Sequence, residues 1–370
     1  MIKKFIKNEL IFILLFLIFF IFIFLYFANT EVKTNTFQQD FEKKVNNYRI
    51  YDGISFFNHC TSTNEDDLCI KILKDQNNKK KIVWIGNSQL DMINNQQNNE
   101  ITSPELLYAD LQNNNIDLVS FSHPNISIKE KYLLLNFLLS HVKLDLVIIG
   151  LCFDDLREIT IRNTFTKYIK DTKSLNNLLK TNSGIRIYEN YKNSQIDKQN
   201  LTSKLDNFLI NNYLNKINYL SFVDNVQGFL RVHFYSIRNY IFNIKPETIR
   251  KTSVSLYDEN IKYYFEIINL LKKNNVKLFN YIVPIRNDFE IPYEKKKYSF
   301  FKNEIEKFSS ENFIIFENIE DLIPSMFYGQ KPGTAFNRKL EIDFMHFDFR
   351  GHLIMKNYFL KKINKIINDL

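Results

Sequence analysis

Residues 80–91 read KKIVWIGNSQLD. The apolar, β-branched and aromatic run at 82–85 has the pattern of a strand buried on both faces, and Gly86 ends it in a turn. Beyond it, residues 103–111 (SPELLYADL) open on a proline and space Leu, Tyr and Leu as a helix does. Residues 116–121 (IDLVSF) form the next strand. Ser127 and Glu130 make a capping box at the start of a helix that runs to about residue 140. Residues 144–151 (LDLVIIGL) are almost wholly apolar, as in the middle of a parallel sheet. This alternation predicts an α/β fold with a doubly wound parallel sheet in three layers. It resumes later with a helix at 256–273, a strand at 276–283, a helix at 294–308 and a strand at 313–316. The final helix, 350–369, carries Leu353, Ile354, Tyr358, Phe359 and Ile363 on a broad apolar face. No internal repeat is evident.

Between the two halves lie residues 157–252, aromatic-rich and irregularly helical. They are too many for an ordinary connection and read as a helical insertion over one edge of the sheet, shaping access to the site. The N-terminal region is organised differently. Residues 10–27 are an unbroken run of 18 apolar residues, long enough to cross a bilayer as a helix. Lys3, Lys4 and Lys7 precede the run, while Glu31 and Lys33 cancel after it, which keeps the N-terminus cytoplasmic and exports the rest. A cleaved signal peptide is the alternative. Its core is shorter, and only Ala28, Asn29 and Thr30 resemble a cleavage site. The expected organisation is a cytoplasmic tail at 1–8, a transmembrane helix at 9–28, a stalk at 29–80 and an α/β domain at 81–370. The localisation that follows is a bacterial inner membrane, crossed once, with the bulk of the chain periplasmic.

Composition excludes more than it selects. The net charge of +8 is spread along the chain, and runs such as 79–81 and 295–297 read as solvated faces rather than nucleic-acid sites. An anionic membrane surface or an acidic glycan remains compatible with the charge. Export would permit a disulfide between Cys60 and Cys69 without requiring one, and Cys152, at a strand end, reads as a buried small residue. No zinc spacing, glycine-rich phosphate loop or H-E-x-x-H helix is present, so neither a metal nor a cofactor is expected.

The chemistry rests on two short words. Ser88 lies just past the first strand, where open parallel sheets place ligands; a helix-capping turn is the plainer reading. Asp343 and His346, in the word DFMH, are three residues apart just before the last helix. In a tight turn the carboxylate can orient the imidazole, which then takes a proton from a serine hydroxyl. A capping Asp beside an ordinary His is the plainer reading here. Together the three groups suit a hydroxyl nucleophile and acyl chemistry. Arg286 and Asp288 follow the strand 276–283 and could bind a sugar or an anionic head, or simply pair with each other. Residues 94–99 read as a loop near the nucleophile, a candidate lid, and His352 as a residue that packs or faces solvent.

In their order, these words resemble the SGNH (GDSL-like) hydrolase superfamily, a flavodoxin-like three-layer fold. Residues 86–90 (GNSQL) look like its first block, with Asn87 at the usual aspartate, and residues 343–346 look like its last. The likeness spans 81–370 apart from the insertion. It implies Ser88 as nucleophile, His346 as base and Asp343 as its orienter. Residues 120–127 (SFSHPNIS) match the second block, with Asn125 where a glycine normally gives an oxyanion N–H, and Asn tolerates positive φ. Residues 151–156 (LCFDDL) match the third, with Asp154 where an asparagine normally donates. An ionised aspartate cannot donate a hydrogen bond. The words VPIRND (283–288) and DFMHF (343–347) resemble membrane-anchored envelope members. Such proteins act on acyl groups of surface polysaccharides, often beside a membrane-bound O-acyltransferase. The implied activity is a serine acyl esterase or O-acyltransferase. A scaffold or glycan-binding subunit that kept the fold is the alternative.

Overall fold

The strands in chain order are β1 (Tyr48–Tyr51), β2 (Ser55–Cys60), β3 (Lys80–Gly86), β4 (Ile116–Ser122), β5 (Leu146–Leu151), β6 (Lys277–Ile282), β7 (Ile315–Asn318), β8 (Tyr328–Lys331) and β9 (Glu341–Phe347). The main helices are α1 (Asp66–Asp75), α2 (Ser103–Leu111), α3 (Ile128–His141), α4 (Asn182–Lys198), α5 (Val254–Lys273), α6 (Lys295–Glu311) and α7 (Phe349–Asn368). They come from a computed structural model, which describes residues 48–51, 55–75, 79–97, 99–111, 114–198, 236–331, 333 and 340–368. The expected tail, transmembrane helix and first part of the stalk lie outside these residues. Among the described residues, no helix is long and apolar enough to cross a membrane.

The main sheet runs β1-β2-β4-β3-β5-β6-β7, and β8 pairs with β9 separately. All neighbours in the main sheet are parallel except β1 with β2. From β3 the chain winds outward to β4 and then crosses back to β5, β6 and β7. That reversal leaves a switch point at the C-terminal ends of β3 and β5, where such sheets bind ligands. Successive residues of each strand face opposite layers, so both faces must be apolar. Val83, Ile85, Phe121, Val147 and Ile149 pack with α3, α5 and α6. Ile82, Trp84, Leu118, Ile148, Phe279 and Tyr281 pack with α2 and α7. In this second layer the Trp84 indole N–H donates to the Tyr281 hydroxyl at 3.0 Å, which satisfies its one polar atom in the core. Gly150 makes room for that ring: a Cβ there would lie 2.7 Å from the hydroxyl oxygen.

Three expectations change. Part of the expected stalk belongs to the sheet, because β2 pairs with β4 through His59↔Ser120 and Cys60↔Phe121. A Cys60–Cys69 disulfide then fastens α1 to that strand. Ile70 and Leu73 of α1 are buried in the core beside the bridge. The insertion is helical over much of residues 163–198, but it covers a face of the domain rather than an edge. Phe165, Tyr168, Leu178 and Ile187 join the α3–α5 core, and Thr181 Oγ1 sits 2.8 Å from the Tyr132 hydroxyl. The last sheet strand starts at Ile315 rather than Phe313, which adopts a left-handed φ of 55° where the chain leaves α6. Residues 199–235 of the insertion are outside the described set.

Candidate active site

Gly86 ends β3, and Ser88–Leu90 form one 3-10 turn. Asn87 caps that turn, its side chain accepting from the Gln89 N–H at 3.0 Å. Asn87 therefore supplies the cap, and the Ser88 hydroxyl takes no part in it. No described residue accepts the Ser88 N–H, one of the unpaired amides that open any helical turn.

Asp343 and His346 sit within β9, where regular pleating would point them to opposite faces. They meet because the strand is broken. Tyr328 pairs with Phe347 and Gln330 with Ile342, so Gly329 alone faces the four residues Asp343–His346. The surplus residues loop out as a wide bulge, and the Asp343 side chain closes it. Its Oδ1 accepts from the Met345 N–H at 3.0 Å and the His346 N–H at 3.1 Å. Its Oδ2 lies 2.9 Å from His346 Nδ1, and His346 Nε2 lies 2.9 Å from Ser88 Oγ. With Nδ1 protonated and donating to the carboxylate, Nε2 is the acceptor for the serine hydroxyl. Burial alone would raise the Asp343 carboxyl. The hydrogen bond and charge of His346, Lys331 and the Met345 amide outweigh it and hold the group at about 2. Asp343 is buried, whereas Ser88 and His346 are partly exposed, so the carboxylate is shielded and the serine–histidine pair is accessible.

Three positioning residues are not evident from the sequence. Gln89 is buried and its Nε2 donates at 2.8 Å to both Pro284 O and Met345 O, tying the serine turn to the bulge. Asn94 donates through Nδ2 to Asp343 Oδ2 at 3.4 Å and through its backbone to Phe347 O at 2.9 Å. The loop expected as a lid is thus fastened to the site at its first residue. His352 packs rather than facing solvent, and is fully buried. Its Nδ1 accepts from the Ser103 N–H at 3.1 Å, so its Nε2–H is the donor to Met92 O at 3.1 Å. Met92 in turn donates to Ser88 O at 3.0 Å. Burial lowers the His352 pKa to about 4. The adjacency of Gln89 to Ser88 was the one available sequence signal; the other two depend on long-range packing.

The remaining expected residues are placed as follows. Asn125 is the third residue of a turn closed by the Ile126 N–H on His123 O at 3.1 Å, with φ 52° after Pro124, as in a type II turn. No described residue accepts its N–H, and it follows β4, next to β3. Asp154 is not an oxyanion donor. It accepts from Arg157 NH1 at 2.6 Å, from Arg250 NH1 and from the Tyr293 hydroxyl at 3.1 Å, so both its oxygens are taken up by these partners. Arg286 and Asp288 pair with each other through two contacts, at 2.6 and 3.0 Å, and Arg286 NH1 reaches Gly329 O at 3.0 Å. Each of its three guanidinium nitrogens therefore has a partner beside the bulge, and its backbone N–H donates to Phe344 O.

No family model matches the chain, and no curated protein does. Solved structures do. A GDSL-like lipase from Bacteroides thetaiotaomicron is 13% identical, with 82% of this chain and 98% of that chain covered and a TM-score of 0.39. An acetylxylan esterase from Geobacillus stearothermophilus is 11% identical, with 77% and 94% covered and a TM-score of 0.38. A further acetyl xylan esterase is 11% identical, with 75% and 98% covered and a TM-score of 0.38. At this level of likeness, the chemistry has to be argued from the chain's own geometry.

Proposed function

We propose that this protein is a serine acyl esterase or O-acyltransferase of the SGNH type, held at a membrane and acting on acyl groups of cell-envelope polysaccharide. The observation that carries the reading is the unbroken chain Ser88 Oγ–His346 Nε2 and His346 Nδ1–Asp343 Oδ2, each link 2.9 Å. His346 takes the hydroxyl proton as Ser88 Oγ attacks the acyl carbonyl, and Asp343 stabilises the imidazolium that forms. The N–H groups of Ser88 and Asn125 face the developing oxyanion. His346 then returns the proton to the departing sugar oxygen. Water, or a second sugar hydroxyl, gives its proton to His346 and attacks the acyl-serine; the acyl–Oγ bond breaks, and His346 passes that proton to Ser88 Oγ. Which hydroxyl enters decides between hydrolysis and transfer.

The 18-residue apolar run and the lysines before it support a single N-terminal anchor with the α/β domain outside the cytoplasm. The Cys60–Cys69 disulfide suits that oxidising side. A membrane-bound O-acyltransferase is a natural supplier of acyl groups to a site of this kind. The reading is tested by labelling the full-length chain, in detergent, with a fluorophosphonate. Labelling is expected at Ser88, absent in Ser88→Ala and strongly slowed in His346→Ala. Unchanged labelling of Ser88→Ala would overturn the mechanism, and no labelling of a folded wild type would favour the scaffold alternative.

A further inference from the structure

Asp154 carries two arginines that come from the two ends of the insertion, Arg157 and Arg250. Tyr293 shares the cluster, donating to Asp154, and its backbone bridges to Arg250. The cluster lies at the switch point of the sheet. Ile85 of β3 pairs with Ile149 of β5, so Ser88 and Asp154 both project past the C-terminal ends of adjacent strands. Gln89, beside the serine, bonds Pro284 O, and Val283 N–H bonds Leu151 O beside Cys152, whose sulfur lies 3.5 Å from the Tyr293 hydroxyl.

These two arginines are used differently from Arg162, Arg286 and Arg350, and more like Arg186, which gives Glu259 a single nitrogen at 3.5 Å. Arg162, Arg286 and Arg350 each spend at least two nitrogens of the guanidinium fork on one carboxylate. Arg157 and Arg250 each give Asp154 only NH1, and Arg157 Nε is buried with no partner. No other described carboxylate is paired with either one. Asp155 next door does not neutralise them, because it is buried against Lys131 at 2.5 Å. Two cations against one anion leave the cluster with one net positive charge. About a third of each side chain is open to solvent, 29% for Arg157 and 33% for Arg250. A pure clamp would need neither the spare charge nor the unused donors, whereas planar recognition of an anion uses both.

We propose that Arg157 and Arg250, preset by Asp154, bind an anionic substituent of the acylated glycan beside the ester that Ser88 attacks. This rests on the acyl-transfer reading and adds a substrate class: an acidic polysaccharide bearing carboxylate or phosphate. The test compares kcat/KM of the full-length chain for acetylated oligogalacturonide, acetylated glycerol phosphate oligomers and neutral acetylated xylo-oligosaccharide. The wild type is expected to favour one acidic substrate at least tenfold at low salt, and the favoured one distinguishes carboxylate from phosphate. Arg157→Gln and Arg250→Gln are each expected to bring the acidic-to-neutral ratio close to one, mainly through KM. Asp154→Asn, which keeps the shape and removes the neutralising charge, is expected to lower KM for the acidic substrate. Equal use of acidic and neutral substrates by the wild type, or equal loss of both in the arginine variants, would overturn the proposal. Calorimetry with unacetylated oligogalacturonide and glycerol phosphate oligomer separates the two readings. Binding that is lost in Arg250→Gln, with no Ser88-dependent turnover, would sink the catalytic reading alone; no binding of either would sink the anion site.

Discussion

Acidification should loosen the protein through one histidine, His352, before it reaches the Asp343 carboxylate. His352 has a folded pKa of about 4, against an ordinary value of 6.5, because it is fully buried and its Nδ1 is already an acceptor for Ser103. The unfolded chain therefore binds more protons between those values. The contribution of His352 is fully present above pH 6.5 and is lost as the pH falls towards 4. At about 1.4 kcal/mol per unit, the displacement is worth about 3 kcal/mol. Asp343, at about 2 against 3.8, is lost in a separate and lower window. Urea unfolding of the wild type at pH 7 and at about pH 4.5 should show about 2–3 kcal/mol of lost stability. His352→Asn still offers an oxygen to the Ser103 amide but cannot titrate. It should begin less stable by about 1–3 kcal/mol, having lost the Met92 bond, and should then show a visibly flatter pH slope. If the variant lost as much stability on acidification as the wild type, the burial argument for His352 would be refuted.

Asp343→Asn should reduce kcat about ten-thousandfold with little change in KM, because an amide cannot hold the imidazole tautomer or stabilise its cation; steady-state kinetics on 4-nitrophenyl acetate measures this. Gly329→Ala places a Cβ 2.2 Å from Asn94 Oδ1. It should cost about 1–3 kcal/mol from overpacking and slow turnover through the displaced Asn94–Asp343 contact, which thermal unfolding and the same assay would detect. Reducing the buried Cys60–Cys69 bridge, or replacing both residues with serine, should lower stability by about 2–3 kcal/mol, the scale for so short a loop. Denaturant midpoints with and without reductant would measure it.

The sheet was legible because its strands are buried on both faces: IVWI and LVIIGL leave little room for another reading. The serine turn and the Asp-His word were legible as residue types, since few groups can activate a hydroxyl. Their meeting was not, because it depends on a bulge in β9, where four residues stand opposite the single Gly329 of β8. Nor was the role of Asp154. The two arginines that neutralise it lie at opposite ends of the insertion and are brought together by folding. Pairing of β2 with the sheet is not legible for a similar reason, since its partner β4 lies about sixty residues along the chain, through His59↔Ser120 and Cys60↔Phe121. His352 looked like an ordinary helix residue because its partners, Ser103 and Met92, come from elsewhere in the sequence.

The central claim is that Ser88 carries the acyl group. Intact-mass measurement of the full-length chain after incubation with 4-nitrophenyl acetate, alongside Ser88→Ala, tests this most directly. The account predicts one acetyl adduct on the wild type, mapped to Ser88, slower to clear in His346→Ala and absent from Ser88→Ala. An adduct that persists in Ser88→Ala, or a folded wild type that takes none, would contradict it.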